Sequence, residues 1–203
     1  MSPPTSFPSA NLASHQHAYT VAWCHVITSD YQGGTKPDYP EDILAIDYCR
    51  PTNTIFMGRA SSKGPFFFVY SCLLSDLHLA LRFDDFTMGV LQSLNVAPSQ
   101  LHPNTWASLQ IFWLICDKFG LRTSPSTFLH YYTSHLADHI SWLSLASRSG
   151  NILFAPLTSS YKNFKGKFFK KLIEPKGREL SFYELGQSKF PLYWTRTPTR
   201  FKK

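Results

Sequence analysis

Ala97-Pro-Ser-Gln-Leu-His-Pro-Asn-Thr-Trp-Ala-Ser-Leu-Gln-Ile-Phe-Trp-Leu-Ile-Cys-Asp-Lys-Phe-Gly120 is the stretch on which the fold turns. Pro103 disfavours helix in the residue before it and suits the first helical turn, so a helix is expected to begin there with Asn104 as the capping residue. Trp106, Leu109, Trp113 and Cys116 repeat at helical spacing, with Phe112, Ile115 and Phe119 beside them. A stripe covering more than half the circumference predicts a helix at the centre of a bundle. Gly120 is placed to end it in the left-handed conformation, with Lys118 favourably set in the last turn. Pro98-Ser99-Gln100 reads as a tight linker that sets the angle between this helix and the one before it.

Working outward, Asp84-Asp85-Phe86 predicts the start of that preceding helix. Asp84 serves as the cap, and Phe86, Val90, Leu91 and Leu94 form its apolar face, closed by Asn95 and Pro98. Upstream, Lys63-Gly-Pro-Phe-Phe-Phe-Val-Tyr70 is a buried strand or a helix start, which periodicity alone does not separate. Downstream, Ser124-Pro125 predicts a third helix carrying Phe128, Leu129, Tyr131, Tyr132 and Leu136. His139 to Ala146 and Asn151 to Pro156, joined around Arg148-Ser-Gly150, read as a β-hairpin. Phe190-Pro-Leu-Tyr-Trp-Thr195 suits an extended edge segment. The expected class is α+β, with a mainly α-helical core, a β-hairpin and an extended aromatic C-terminal segment. A polar leader (1–17), expected to be disordered, precedes one domain over 18–195 with its core at 59–172, and a basic tail (196–203) follows.

Composition narrows the function classes. Hydrophobic residues make up 43% and charged residues 16%, well below the roughly 25% charge of ordinary domains, so the chain is globular and prone to association. The net charge of +7 is concentrated at one end. From Lys162 onward there are twelve Lys and Arg against Glu174, Glu179 and Glu184, whereas residues 1–161 hold eight bases and ten acids. Such an end suits nucleic acid or an acidic surface, and equally a solvated tail that keeps an aromatic-rich chain soluble. Cys24, Cys49, Cys72 and Cys116 include no C-x-x-C pair and read as reduced thiols of an intracellular protein, nuclear or cytoplasmic. The apolar runs fall short of the roughly 20 residues needed to span a bilayer.

Several separated blocks resemble a family of plant gypsy-type transposon proteins. Ala97-Pro-Ser-Gln-Leu-His-Pro-Asn-Thr-Trp-Ala107 carries the resemblance. Leu79-Ala-Leu-Arg-Phe-Asp-Asp-Phe86, Ser124-Pro-Ser-Thr-Phe128, Trp142-Leu-Ser-Leu145, Lys165-Gly-Lys-Phe-Phe169 and Phe190-Pro-Leu-Tyr-Trp-Thr195 support it in order and spacing. One departure is that the family's Trp before the lysine block is missing, the nearby aromatics being Tyr161 and Phe164. The resemblance implies origin in a plant mobile element, in its structural, Gag-like portion, and brings no established chemistry with it.

Retroelement enzymes leave marks that are missing here: no Asp-Thr/Ser-Gly, no Tyr-x-Asp-Asp and no C-x2-C-x4-H-x4-C knuckle occurs. Asp76, Asp84, Asp117 and Glu174 could be threaded into a transposase-like metal triad, but Asp84 is better explained as a helix cap. His130, His135 and His139 cluster without a Cys partner in reach, and half-exposed helix histidines account for them. No G-x-S-x-G elbow exposes a serine. No catalytic residue, metal or cofactor is therefore expected.

The stretch with functional interest is Tyr161-Lys-Asn-Phe-Lys-Gly-Lys-Phe-Phe-Lys-Lys-Leu-Ile173. Lys162, Lys165, Lys167, Lys170 and Lys171 would attract phosphate, while Phe168 and Phe169 could stack on unpaired bases. The competing reading is a solvated basic face whose aromatics are simply buried. Phe164, Phe168 and Leu172 would also suit a basic amphipathic helix, which Gly166 weakens and the family resemblance turns toward a strand. The expected function is a non-enzymatic structural or assembly module with non-specific RNA or DNA, or further copies of itself, as partners. The alternative is an accessory domain of a transposase or integrase complex.

Overall fold

The structure, a computed structural model, describes residues 64–136, 142–154, 161 and 164–201, together with the backbone of 46–47. The leader at 1–17, Lys162 and His139 lie outside the described residues. All described residues belong to one compact unit, 39–203, and its architecture is α+β.

Phe66-Phe-Phe-Val-Tyr70 resolves as strand β2, following the short β1 (Ile46–Asp47). All five of its residues are buried, as a continuous apolar run requires when both faces of a strand are covered. Its partner is β5 (Phe168–Leu172), which lies between β1 and β2 in an antiparallel sheet. The register pairs Phe67 with Lys171 and Phe68 with Lys170. Ser71 continues the ladder by donating to the Lys167 carbonyl at 2.9 Å, at the start of the short helix α1 (Ser71–Ser75).

Helix α2 (Asp85–Leu94) begins as its sequence predicts: the Asp84 carboxylate accepts the Thr87 N–H at 2.7 Å. Phe86, Val90, Leu91 and Leu94 are buried, joined by Met88. The helix ends at Asn95 in the left-handed region (φ 51°), where the Val96 N–H returns to the Leu91 carbonyl. That is the double-bonded C-terminal closure usually made by glycine. Gly89 allows α2 to touch the start of α4 (Pro125–His130), since a Cβ there would lie 2.7 Å from the Pro125 ring.

Helix α3 (Pro103–Lys118) differs from expectation in two respects. Its cap is His102 rather than Asn104: the imidazole Nδ1 accepts the Asn104 N–H at 3.2 Å. Pro103 occupies the first helical position, which places Asn104 at the second, two residues past the capping position. The helix is also one-sided. Trp106, Leu109, Phe112 and Cys116 are buried, but Trp113 and Leu114 are each 37% exposed, so it flanks the core rather than running through its centre. Gly120 closes it at φ 63°, with Leu121 donating to the Cys116 carbonyl at 2.8 Å.

The third helix stops at His130, and the chain turns into β3 (Tyr132–Leu136). Phe128, Tyr132 and Leu136 are four residues apart, a spacing that keeps residues on one face in a helix and in a strand alike. Aromatic and β-branched Tyr132-Thr133 favour the strand. The hairpin accordingly pairs β3 with β4 (Leu143–Ser147), Tyr132 opposite Ser147, instead of pairing 139–146 with 151–156. Asn151 to Phe154 form no strand, and Ile152 is exposed. Backbone of β4 lies against the start of α3: His102 donates to the Leu143 carbonyl, and the Leu145 N–H donates to Thr105 Oγ1 at 3.1 Å.

After β5 and the short α5 (Arg178–Ser181), the C-terminal segment crosses the body without joining a sheet. Phe190 and Leu192 are buried, Phe190 packing on Phe67 and Phe83, which in turn meets Trp106. Gln100, fully buried, then holds Thr195 by its backbone. Its Oε1 accepts from Ala97 N (3.0 Å) and Thr195 N (2.8 Å), and its Nε2 donates to Thr195 O (2.9 Å). Trp194 Nε1 donates to Ser99 Oγ, and Asn95 Nδ2 donates to Thr197 O. Thr199 donates to the Leu94 carbonyl, and Phe201 exchanges two hydrogen bonds with Ser134. Residues 196–201, expected as a tail beyond the domain, are thus laid along it.

Replacing Gln100 with Leu leaves three backbone groups without their partner. The expected loss is about 3 kcal/mol, at roughly 1 kcal/mol or more for each group left unpaired. It is read as a lower urea midpoint with an unchanged slope; a midpoint equal to that of the parent chain would remove Gln100 from this role.

Candidate nucleic-acid interface

A strand sends successive side chains to opposite faces, and β5 divides the lysine-rich block accordingly. Phe169 and Lys171 are buried on the face shared with Phe67 and Val69, Lys171 with only 1% exposure. Phe168, Lys170 and Leu172 lie half-buried on the other face with Phe66, Phe68 and Tyr70. Phe168 packs edge-on against Phe68 at 5.4 Å, and Lys170 Nζ sits 4.6 Å from the Phe66 ring centroid. Ahead of the strand, Lys165 and Lys167 are exposed. The predicted set therefore splits: Lys165, Lys167, Phe168 and Lys170 reach the surface, whereas Phe169 and Lys171 belong to the interior.

Lys165 leads to residues outside the predicted set. Its Nζ lies 3.7 Å over the centre of the Trp142 ring. The Trp142 indole donates to Tyr70 Oη at 2.8 Å and packs edge-on against Phe164 and Trp194. Phe164 also contacts Tyr70 and the ring of His102. Five segments distant in sequence thus meet beside the α3 N-terminus. Trp142 was visible in the sequence only as the first residue of a resemblance block, since its neighbours in space come from 70, 164–165 and 194.

The electrostatics follow from burial. Desolvation pushes the Tyr70 phenol far above its ordinary value, with the Trp142 hydrogen bond acting the other way, so it remains neutral. His102 is held below the usual histidine value, first by burial and then by Lys165. A neutral ring is also what its capping role demands, because Nδ1 must offer a lone pair to the Asn104 N–H.

Other chemistry has less support in the arrangement. Among the described residues no group of three or more His, Cys, Asp or Glu is placed to share a metal ion. Asp84 is engaged in its cap. His135 lies on a strand, its Nε2 hydrogen-bonded with Thr133, which corrects the expectation that it shares a helix with His130. Burial, then Asp76, raise the Cys72 thiol to about 11, keeping it protonated at neutral pH. A small cleft between Phe67, Phe83, Met88 and Phe190 is apolar apart from Arg82 and Ser181. No described helix is long and apolar enough to cross a membrane.

These features define a small α+β domain with a lysine-bearing aromatic surface. Residues 67–136 match the family model described as putative gypsy type transposon. The match takes in the blocks at 79–86, 97–107 and 124–128; those at 142–145, 165–169 and 190–195 lie beyond it. No curated protein and no solved structure gives a significant match.

His102 supplies a pH prediction. Its folded pKa is lowered from an unfolded value of about 6.5, so between the two values the unfolded chain binds more protons. Its contribution to stability is present above pH 6.5 and is lost as pH falls through the folded value. His102→Asn keeps a capping acceptor without the titration. Urea midpoints between pH 5 and 8 should fall more steeply on acidification for the parent than for His102→Asn; parallel curves would show that His102 does not titrate differently in the folded state.

Proposed function

We propose that this domain is a non-enzymatic, transposon-derived structural module of Gag-like role that holds nucleic acid through charge. The observation that carries the reading is the placement of Lys165 and Lys167, both exposed at the entry to β5. The stretch from Lys162 to Ile173 contains no acidic residue to neutralise them. Lysines on ordered backbone offer phosphate a fixed pattern of charge without the entropy of ordering a tail.

An assembly role draws support from α3. Trp113 and Leu114 are partly exposed along its outer side, and Phe119 (68%) and Leu121 are exposed where it ends. Large apolar side chains exposed close together in sequence favour association.

The test is binding of the full chain to single-stranded oligonucleotides across a salt series. Each phosphate neutralised contributes a slope of roughly 0.7 in log K against log salt. Replacing Lys165 and Lys167 together with Gln should lower the slope by about 1.4 and weaken binding for every sequence alike. Unchanged affinity and slope would leave these lysines as solubilising charge.

A further inference from the structure

We infer that the indole of Trp142 is a stacking platform for an unpaired nucleobase, which makes the lysine surface selective for single-stranded nucleic acid. The inference rests on the nucleic-acid reading above and adds a residue and a ligand class to it.

Three contacts fix the ring. Its Nε1 donates to Tyr70 Oη at 2.8 Å, Trp194 meets it at 5.9 Å and 78°, and Phe164 at 6.3 Å and 61°. Tyr70 is itself fully buried in β2, so the indole is anchored to the core. The residue is nevertheless half-exposed, and an ammonium occupies the space over its ring centre. That ammonium belongs to Lys165, an exposed side chain on a flexible four-carbon stem.

A cation over an aromatic face occupies the place a base would take, because both are drawn to the same π surface. A base can displace the ammonium, and the freed Lys165 remains within its own side-chain length of the phosphate attached to that base. One residue thus covers the platform when it is empty and pairs with the backbone when it is filled. The ring needs no reordering on binding, which is the cost that weakens stacking on mobile aromatics. A duplex keeps its bases stacked on one another and can use only the lysines.

The experiment compares the full chain with Trp142→Leu and Trp142→Phe. The probes are twelve-nucleotide oligo(dT) and oligo(U), with a twelve-base-pair duplex as control, at one salt concentration and then across a salt series. Trp142→Leu should weaken single-strand binding about tenfold, the order expected for one stacked base. It should leave duplex affinity and the salt slope at parent values, and Trp142→Phe should retain most of the single-strand affinity. In the parent, oligo(dT) should quench tryptophan fluorescence, and Trp142→Phe should remove that quenching even if the Leu variant folds poorly. Equal quenching in Trp142→Phe, or parental single-strand affinity in a folded Trp142→Leu, overturns the platform while the lysine surface stands. Absence of salt-dependent binding by the parent overturns both.

Discussion

One buried amide organises the domain. Gln100 sits in a turn after Pro98, and its side chain does what a neighbouring strand would otherwise do for Thr195: it accepts that residue's N–H and donates to its carbonyl. The same oxygen takes the N–H of Ala97. A buried backbone group left without a partner costs roughly 1–3 kcal/mol, so the turn and the C-terminal segment each supply what the other lacks. Closing a loop of some ninety residues costs only a few kcal/mol, since that entropy grows with the logarithm of length. The closure brings Phe190 onto Phe67 and Phe83, completing the aromatic row that reaches Trp106. The segment matched by the family model ends at 136, yet the core it contains is finished by residues near 190.

Much of the helical core was legible because its signals are local. Asp84 capping α2, the apolar face ending at Leu94, and Gly120 closing α3 each depend on residues within a turn or two of one another. The failures share a cause in contacts the sequence does not display. His102 and Asn104 both lie beside Pro103, and only helical geometry decides which side chain reaches back to the free N–H groups. Phe128, Tyr132 and Leu136 satisfy two periods at once, and the choice went to the strand because Leu143 to Ser147 was there to pair with it. The apolar stripe on α3, wider than half the circumference, predicted a central helix; Trp113 and Leu114 show that apolar composition does not by itself provide neighbours.

The lysine block shows the same limit at the candidate site. Once 168–172 is a strand, Lys170 and Lys171 must point to opposite faces, and adjacency in sequence becomes separation in space. Which of them faces inward depends on register, fixed here by Phe67 opposite Lys171. Charge counted along the chain therefore overstates the charge available at the surface. Lys165 and Lys167, just before the strand, escape this sorting.

The surface and the C-terminal segment are also parts of one construction. Trp194, held by Ser99 one residue before Gln100, packs against Trp142, over which Lys165 lies. Tyr70 anchors the same indole from the edge of β2, and His102 meets Phe164 from the start of α3. The aromatic setting of Lys165 thus exists only when the turn at 98–100, the strand β2 and the segment at 194–195 are assembled together. A short peptide carrying the lysine block would have the charge without the platform. Conserving the turn signature Pro98-Ser99-Gln100 would preserve this setting as much as the helix angle, because Ser99 and Gln100 are the side chains that seat Trp194 and Thr195.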